Sequence, residues 1–244
     1  MGEILPDEQL DDLGRGRRIL QKKKGFKYGT DSVLLAKLAL MSPKRGVAVD
    51  LGTGTGILPI LISADPKFTK IYGIELAPEY ADMARRSVAM NGLSDRIEII
   101  QGNLKQKAVF PTGLKADAVL ANPPYKRAGT GLSNETEAET AARQETGCNL
   151  EDVISAAAGL LKFRGTFYMV ISPDRLADFP ELMRKYSLEP KYMRLVYPKL
   201  SKKPAMVLVT AVKGGGRNLT VDRPLILLNE DGSETEELRR IYEY

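Results

Sequence analysis

An asparagine, two prolines and a tyrosine in a row, Asn122-Pro123-Pro124-Tyr125, carry the most chemical content in this chain of 244 residues. Proline fixes φ and has no N–H. The carbonyls of Asn122 and Pro123 therefore stand as rigid acceptors beside the Asn122 side chain, and Tyr125 adds an aromatic face. An acceptor pair next to a stacking ring suits a planar group bearing an –NH2, such as the amino group of adenine, whose lone pair is delocalised into the ring. Acceptors that grip its hydrogens aim the nitrogen at an electrophilic carbon. Asn122, Pro123 and Tyr125 are the expected catalytic residues. No strong base is required, and the chain contains no histidine. That absence removes the commonest general base and metal ligand. It excludes a Ser-His-Asp hydrolase and a His-ligated zinc enzyme, and no metal is expected.

A second constellation lies upstream. Asp50-Leu51-Gly52-Thr53-Gly54-Thr55-Gly56 falls between an apolar run and a helical pattern. Glycines at such a turn let the backbone approach a ligand closely. The dinucleotide fingerprint G-x-G-x-x-G would need glycine where Ile57 stands, and no Gly-Lys-Ser/Thr follows to make a P-loop. Glu75-Leu76 closes the next apolar run, and a carboxylate there can accept from both hydroxyls of a ribose. Asp50 sets negative charge where a cationic ligand, such as a sulfonium amino acid, would lie. Asn103, after the third run, offers an amide to an adenine amino group. Together these features point to a nucleoside ligand rather than a bare turn.

These residues need elements to hold them. Apolar runs at 47–51, 70–75, 96–101, 116–121 and 165–172 read as strands, and 188–197 and 204–213 as a closing pair. Helical patterns fall between them at 56–64, 78–91, 150–162 and 173–186, with a further helix ahead of the first strand, capped by Thr30 or Asp31. Strands alternating with helices imply an α/β, Rossmann-like fold: a mostly parallel seven-stranded sheet with helices on both faces and ligands at the carboxyl ends of the strands. A hydrophobic content of 43% supports one packed domain over 1–244. Two short strands, 17–21 and 25–28, are expected in a basic N-terminal extension reaching about residue 30. A small tail from about 214 should pack loosely at the edge. Residues 126–149 are long, polar and weakly patterned, as functional loops often are. One cysteine, Cys148, permits no internal disulfide, no apolar run is long enough to span a bilayer, and Met1 to Leu13 is too acidic and polar for a secretory signal. A cytoplasmic protein with no membrane partner is expected, as a monomer or weak dimer.

The net charge is +5. Arg15, Arg17, Arg18, Lys22, Lys23, Lys24 and Lys27 crowd one stretch that holds no acid, and Lys126, Arg127, Arg143, Lys199, Lys202 and Lys203 lie further on. Such a patch is either a solvated face or a surface for phosphates.

With these residues in view, the chain resembles the class I methyltransferases. Asp50-Leu-Gly-Thr-Gly-Thr-Gly56 looks like their loop for S-adenosylmethionine, and Asn122-Pro-Pro-Tyr125 like the catalytic motif of those that methylate amino groups. More narrowly, most of residues 17–213 resembles the bacterial tRNA(Val) adenine-N6 methyltransferases, which modify an adenine beside the anticodon. Tyr28-Gly29-Thr30-Asp31-Ser-Val-Leu-Leu35 is similar to that family's segment over the methionine end of the cofactor, and Ala142-Arg143-Gln144-Glu145 to a segment that usually has histidine where Gln144 stands. Asn103 takes a position that is aspartate in many relatives. The resemblance implies methyl transfer to an adenine N6 of RNA, probed at Tyr28–Asp31, Asp50, Gly52, Thr53, Gly54, Gly56, Glu75, Leu76, Asn103 and Asn122 for the cofactor, and a tRNA partner. The same four-residue motif occurs in enzymes that methylate a glutamine amide of release factors. These carry a large separate N-terminal domain for which this chain has no room. A non-catalytic RNA-binding module is disfavoured by the intact Asn122 and glycine loop.

Overall fold

A computed structural model describes residues 4–24, 28–123 and 148–242. Two strands open the chain, β1 (Glu8–Gly14) and β2 (Arg17–Lys22), followed by α1 (Thr30–Met41), β3 (Gly46–Leu51), α2 (Ile57–Ile62), β4 (Phe68–Glu75), α3 (Pro78–Met90), β5 (Ile97–Gln101) and β6 (Ala116–Ala121). After residues 124–147 come α4 (Leu150–Leu160), β7 (Leu161–Ile171), α5 (Phe179–Lys185), β8 (Leu188–Tyr197), β9 (Met206–Lys213), β10 (Thr220–Val221), β11 (Leu225–Ile226) and α6 (Glu236–Tyr242).

The main sheet runs β10-β8-β9-β7-β6-β3-β4-β5, with β11 also on β8. It thus has nine strands among the described residues rather than the seven expected. The two extra are two-residue strands lying parallel to β8 at its outer edge. β3, β4, β5, β6 and β7 run parallel, and β9 alone is reversed, between β7 and β8. Order turns back between β3 and β6, the switch point where doubly wound sheets bind ligands.

Alternation along the strands sorts side chains to the two faces. Ala48, Ile71, Ala118 and Leu120 pack with Leu34, Leu35, Ile57, Ile60, Ala81 and Ala84 of α1, α2 and α3. Val49, Leu51, Val119 and Ala121 pack with Val153, Ile154, Phe179 and Met183 of α4 and α5. Both faces are buried, which is why the strands read as continuous apolar runs.

Four expectations change. The N-terminal pair is β1 with β2, closed by a turn at Gly14-Arg15-Gly16, and not 17–21 with 25–28. The acidic residues Glu8–Gly14, ahead of the expected pair, form the partner strand. Its Glu8 is buried and ion-paired to Arg86 of α3. The helix α1 is capped by Gly29, without a side-chain cap, rather than by Thr30 or Asp31. The stretch 173–186 divides into a 3-10 turn, Pro173–Arg175, and the short α5, because Pro180 suits only a helix start. The tail beyond Lys213 is packed, with Leu225 and Leu238 both buried. The long segment read at 126–149 falls almost wholly outside the described residues.

Candidate active site

Four parallel strands end side by side at one edge. Leu51 pairs with Ile74 on one side and Ala121 on the other, and Glu75 pairs with Gln101. The residues that follow, Gly52, Leu76, Gly102-Asn103 and Asn122, are therefore brought to one line. Parity adds more. Asp50, Glu75 and Asn122 fall an even number of residues from Ala48, Ile71 and Leu120, so they share the face covered by α1, α2 and α3.

The loop after β3 turns through three glycines with positive φ, Gly52 at 77°, Gly54 at 56° and Gly56 at 89°. The last caps α2 in a left-handed conformation. The N–H groups of Gly52 and Thr53 both donate to the Ile74 carbonyl at 2.9 Å, which ties the loop to β4. Gly73 makes that possible: a Cβ there would stand 2.9 Å from Thr53 Oγ1 and 2.8 Å from Ile99 Cδ1.

Glu75 braces the same loop. Its Oε2 accepts from Gly54 N at 2.8 Å and its Oε1 from Ala77 N at 2.9 Å. Each carboxylate oxygen can take two donors, so both retain capacity for ribose hydroxyls. Burial holds this carboxyl above its ordinary range, against the opposing pull of the backbone N–H donors of Ala77, Gly54 and Leu76. Asn103 is half-buried and its Oδ1 accepts from Lys105 N at 3.0 Å.

Asp50 is fully buried, and neither carboxylate oxygen has a hydrogen-bond partner among the described residues. Burial pushes its pKa up to about 7, with the nearby Thr53 hydroxyl, which falls short of a formed hydrogen bond, working against the rise and the charge of Glu75 adding to it. An orphaned buried acid is costly, and a cation beside it removes the cost. Thr53 Oγ1 and Asn122 Oδ1 are likewise buried without partners. Asn122 Nδ2, by contrast, donates to Ser32 Oγ at 2.9 Å. This bond ties the end of β6 to the first turn of α1, and so sets the segment Tyr28–Asp31 beside the glycine loop. Ser32 was not among the expected site residues, although it sat inside a motif that was. Arg175, in the turn after β7, also has its Nε buried and without a partner among the described residues.

The basic residues separate into groups. β2 runs along α3: Arg18 exchanges two hydrogen bonds with the Asn91 side chain at the end of α3, Leu20 N donates to Ser87, and Lys22 pairs with Glu79 in its first turn. Because α3 starts at the carboxyl edge of the sheet, Lys22, Lys23 and Lys24 lie at the end nearer the site. Arg15, Arg17 and Arg18 lie toward the other end of a 13-residue helix, about 20 Å long. Arg17 donates to the Ile60 carbonyl at 2.5 Å, and Lys22 is also paired with Asp7 at 2.6 Å. Lys202 and Lys203 are exposed in the β8–β9 connection. β8 is parallel to β7, so that connection stands on the site's edge, three strands or ~14 Å from β6. Tyr125, Lys27, Lys126, Arg127 and Arg143 lie outside the described residues. No group of three or more potential metal ligands occurs among the described residues, and no helix there is long and apolar enough to cross a membrane.

A glycine loop after β3, an acid ending β4 and Asn-Pro ending β6, on a sheet with this strand order, define a class I S-adenosylmethionine-dependent methyltransferase. The chain belongs to the methyltransferase small domain family, whose model matches residues 23–186. It is 30% identical over 190 residues to the tRNA1(Val) (adenine(37)-N6)-methyltransferase of Bacteroides thetaiotaomicron, covering 77% of each chain. To the protein of the same name from Porphyromonas gingivalis it is 29% identical over 188 residues, 75% of this chain and 73% of that one. Among solved structures, a predicted O-methyltransferase from Agrobacterium tumefaciens superposes with a TM-score of 0.65 at 24% identity, over 87% of this chain and 95% of the other. Trm5 of Methanocaldococcus jannaschii in complex with adenosine does so at 0.60 and 15% identity, over 86% and 56%. These two likenesses concern the fold.

S-Adenosylmethionine is the cofactor of this class, and the site fits it. The glycine cradle admits a ligand against backbone, Glu75 keeps acceptor capacity for a ribose, and the orphaned Asp50 carboxylate suits the cationic aminoacyl end.

Proposed function

We propose that this protein transfers a methyl group from S-adenosylmethionine to the exocyclic N6 of an adenine in tRNA, and that adenine 37 of tRNA1(Val), named in its relatives, is the target. The observation that carries the reading is the Asn122 side-chain oxygen, buried and unpartnered among the described residues at the switch point of the sheet. An acceptor of this kind is what an –NH2 needs, and the Pro123 carbonyl beside it supplies another. When bound, S-adenosylmethionine supplies an electrophilic methyl group on a positively charged sulfur. Asn122 and Pro123 hold the amino hydrogens and so fix the nitrogen; one of those hydrogens leaves as a proton to water, with no imidazole to take it. Tyr125 stacks on the adenine. The base has to be unstacked to reach these groups, and an anticodon loop offers unpaired bases at low cost. The RNA backbone follows the carboxyl edge of the sheet, over Lys202, Lys203, Lys23 and Lys24.

The test is single-turnover methylation of unmodified tRNA, read by nucleoside mass spectrometry. Asn122→Ala lowers turnover by orders of magnitude while cofactor affinity stays near normal. Full activity in that variant overturns the mechanism, and labelling of a release factor in place of tRNA overturns the substrate.

A further inference from the structure

An asparagine amide is nearly isosteric about its own axis, but its two ends are opposites: one accepts, the other donates twice. A catalytic amide that grips an –NH2 works only with its oxygen forward. Rotated by half a turn, it would set –NH2 against –NH2. We infer that Ser32 fixes that choice and is the positioning residue for Asn122, an inference that builds on the functional reading above.

Ser32 is the third residue of α1, 2% exposed, and its Oγ receives Asn122 Nδ2 at 2.9 Å across 90 residues of sequence. With the nitrogen committed, Asn122 Oδ1 is left as the free acceptor, and it has no partner among the described residues. In this bond the Ser32 hydroxyl accepts through a lone pair, and no other side chain among the described residues takes Asn122 Nδ2. Ser32 is itself held: its N–H donates to Asp31 Oδ1 at 2.7 Å and to the Gly29 carbonyl at 3.2 Å. The same turn is anchored from outside, where Tyr242 of α6 bonds the Thr30 hydroxyl at 3.1 Å. On the other side, Pro123 stiffens the backbone directly after Asn122. Only the side-chain torsions of Asn122 remain to be set, and Ser32 is the group in place to set them.

Three variants test this: Ser32→Ala, Asn122→Ala and the double variant, with S-adenosylmethionine and unmodified tRNA. Ser32→Ala lowers kcat roughly tenfold to a hundredfold, the scale of a misaligned reacting group. The dissociation constant of S-adenosylmethionine and the KM for tRNA stay within about twofold, since the loss is confined to the reacting geometry. In the Asn122→Ala background the serine change has no further effect, because there is no amide left to orient. Unchanged kcat in Ser32→Ala, or an equal loss in both backgrounds, overturns the inference. A second readout needs no substrate. The side-chain amide resonances of Asn122, identified by their absence from the Asn122→Ala spectrum, shift when Ser32 is replaced by Ala; resonances that stay in place overturn the inference. If the wild-type protein fails to methylate tRNA, the functional reading falls by itself and the resonances decide this one.

Discussion

Replacing Asp50 by Asn should make the protein without its cofactor more stable and its grip on S-adenosylmethionine weaker. The carboxyl is fully buried, has no partner among the described residues, and has its pKa raised from 3.8 to about 7. Below pH 3.8 the acid is protonated in folded and unfolded chains alike. Between 3.8 and about 7 the unfolded chain releases the proton and the folded one keeps it, so each pH unit removes about 1.4 kcal/mol of stability. Above that window both forms are ionised and the loss is complete, on the order of 4 kcal/mol. That is a large share of the ~5–15 kcal/mol that holds a domain together. Asn has the same shape and no charge to bury. Urea unfolding of the two cofactor-free proteins should therefore show a gain for Asp50→Asn that grows by about 2–3 kcal/mol between pH 5 and pH 8. Cofactor binding runs the other way, because a cationic ligand needs the ionised acid. The ionised fraction falls from about one half at pH 7 to about one eleventh at pH 6, so wild-type affinity measured by calorimetry should drop about fivefold over that unit. In Asp50→Asn this slope should vanish and affinity at pH 8 should be at least about tenfold weaker. A variant no more stable than wild type at pH 8, with a difference flat across pH, would falsify the account of Asp50 as an uncompensated buried charge.

Glu75→Ala should weaken S-adenosylmethionine by more than about tenfold in calorimetry, since it removes both the proposed ribose acceptor and the brace on Gly54 and Ala77; unchanged affinity would dismiss the assignment. Replacing Lys202 and Lys203 together by Ala should lower tRNA affinity and reduce the salt slope of binding by about two. Lys22→Ala should leave that slope nearly intact, because Lys22 is committed to Asp7 and Glu79. A slope that responds to Lys22 and not to Lys202 and Lys203 would place the RNA on the hairpin face instead.

The alternating core was legible because strands buried on both faces are continuous apolar runs, and because a glycine turn marks where the first of them ends. β1 was not legible. Its sequence, Glu8 to Gly14, carries three acids, and beyond the ladder to β2 what ties it down is ionic: the buried Glu8 on Arg86, with Asp7 just outside the strand on Lys22. No apolar periodicity announces such a strand. The acids that pair with the basic stretch come from outside it, Asp7 before and Glu79 after, so counting charge within 15–27 alone overstated how much was free for phosphates. The tail failed for a related reason: its strands are two residues long and borrow their order from β8, Leu225 belongs to a single short apolar run, 224–228, and Leu238 sits in a charged end.

The site divides along the same line. The residues proposed to meet the cofactor or the reacting group are tied to strand ends, and a strand end is marked locally, by Gly-Thr-Gly after β3, Glu at the end of β4 and Asn-Pro after β6. Register then does the assembly: Leu51 pairs with Ile74 and with Ala121, so three motifs separated by tens of residues must arrive together. What orients those residues obeys no local rule. Gly73 is required by a threonine 20 positions earlier, whose hydroxyl its Cβ would meet at 2.9 Å, and Ser32 serves an asparagine 90 residues away. Each is an ordinary residue in its own element, and its role exists only after the sheet has closed. A chain can therefore display its chemistry in sequence while hiding the geometry that makes the chemistry work. The buried, half-bonded amide of Asn122 shows that the two are separable: its oxygen is explained by the reaction, its nitrogen only by the fold.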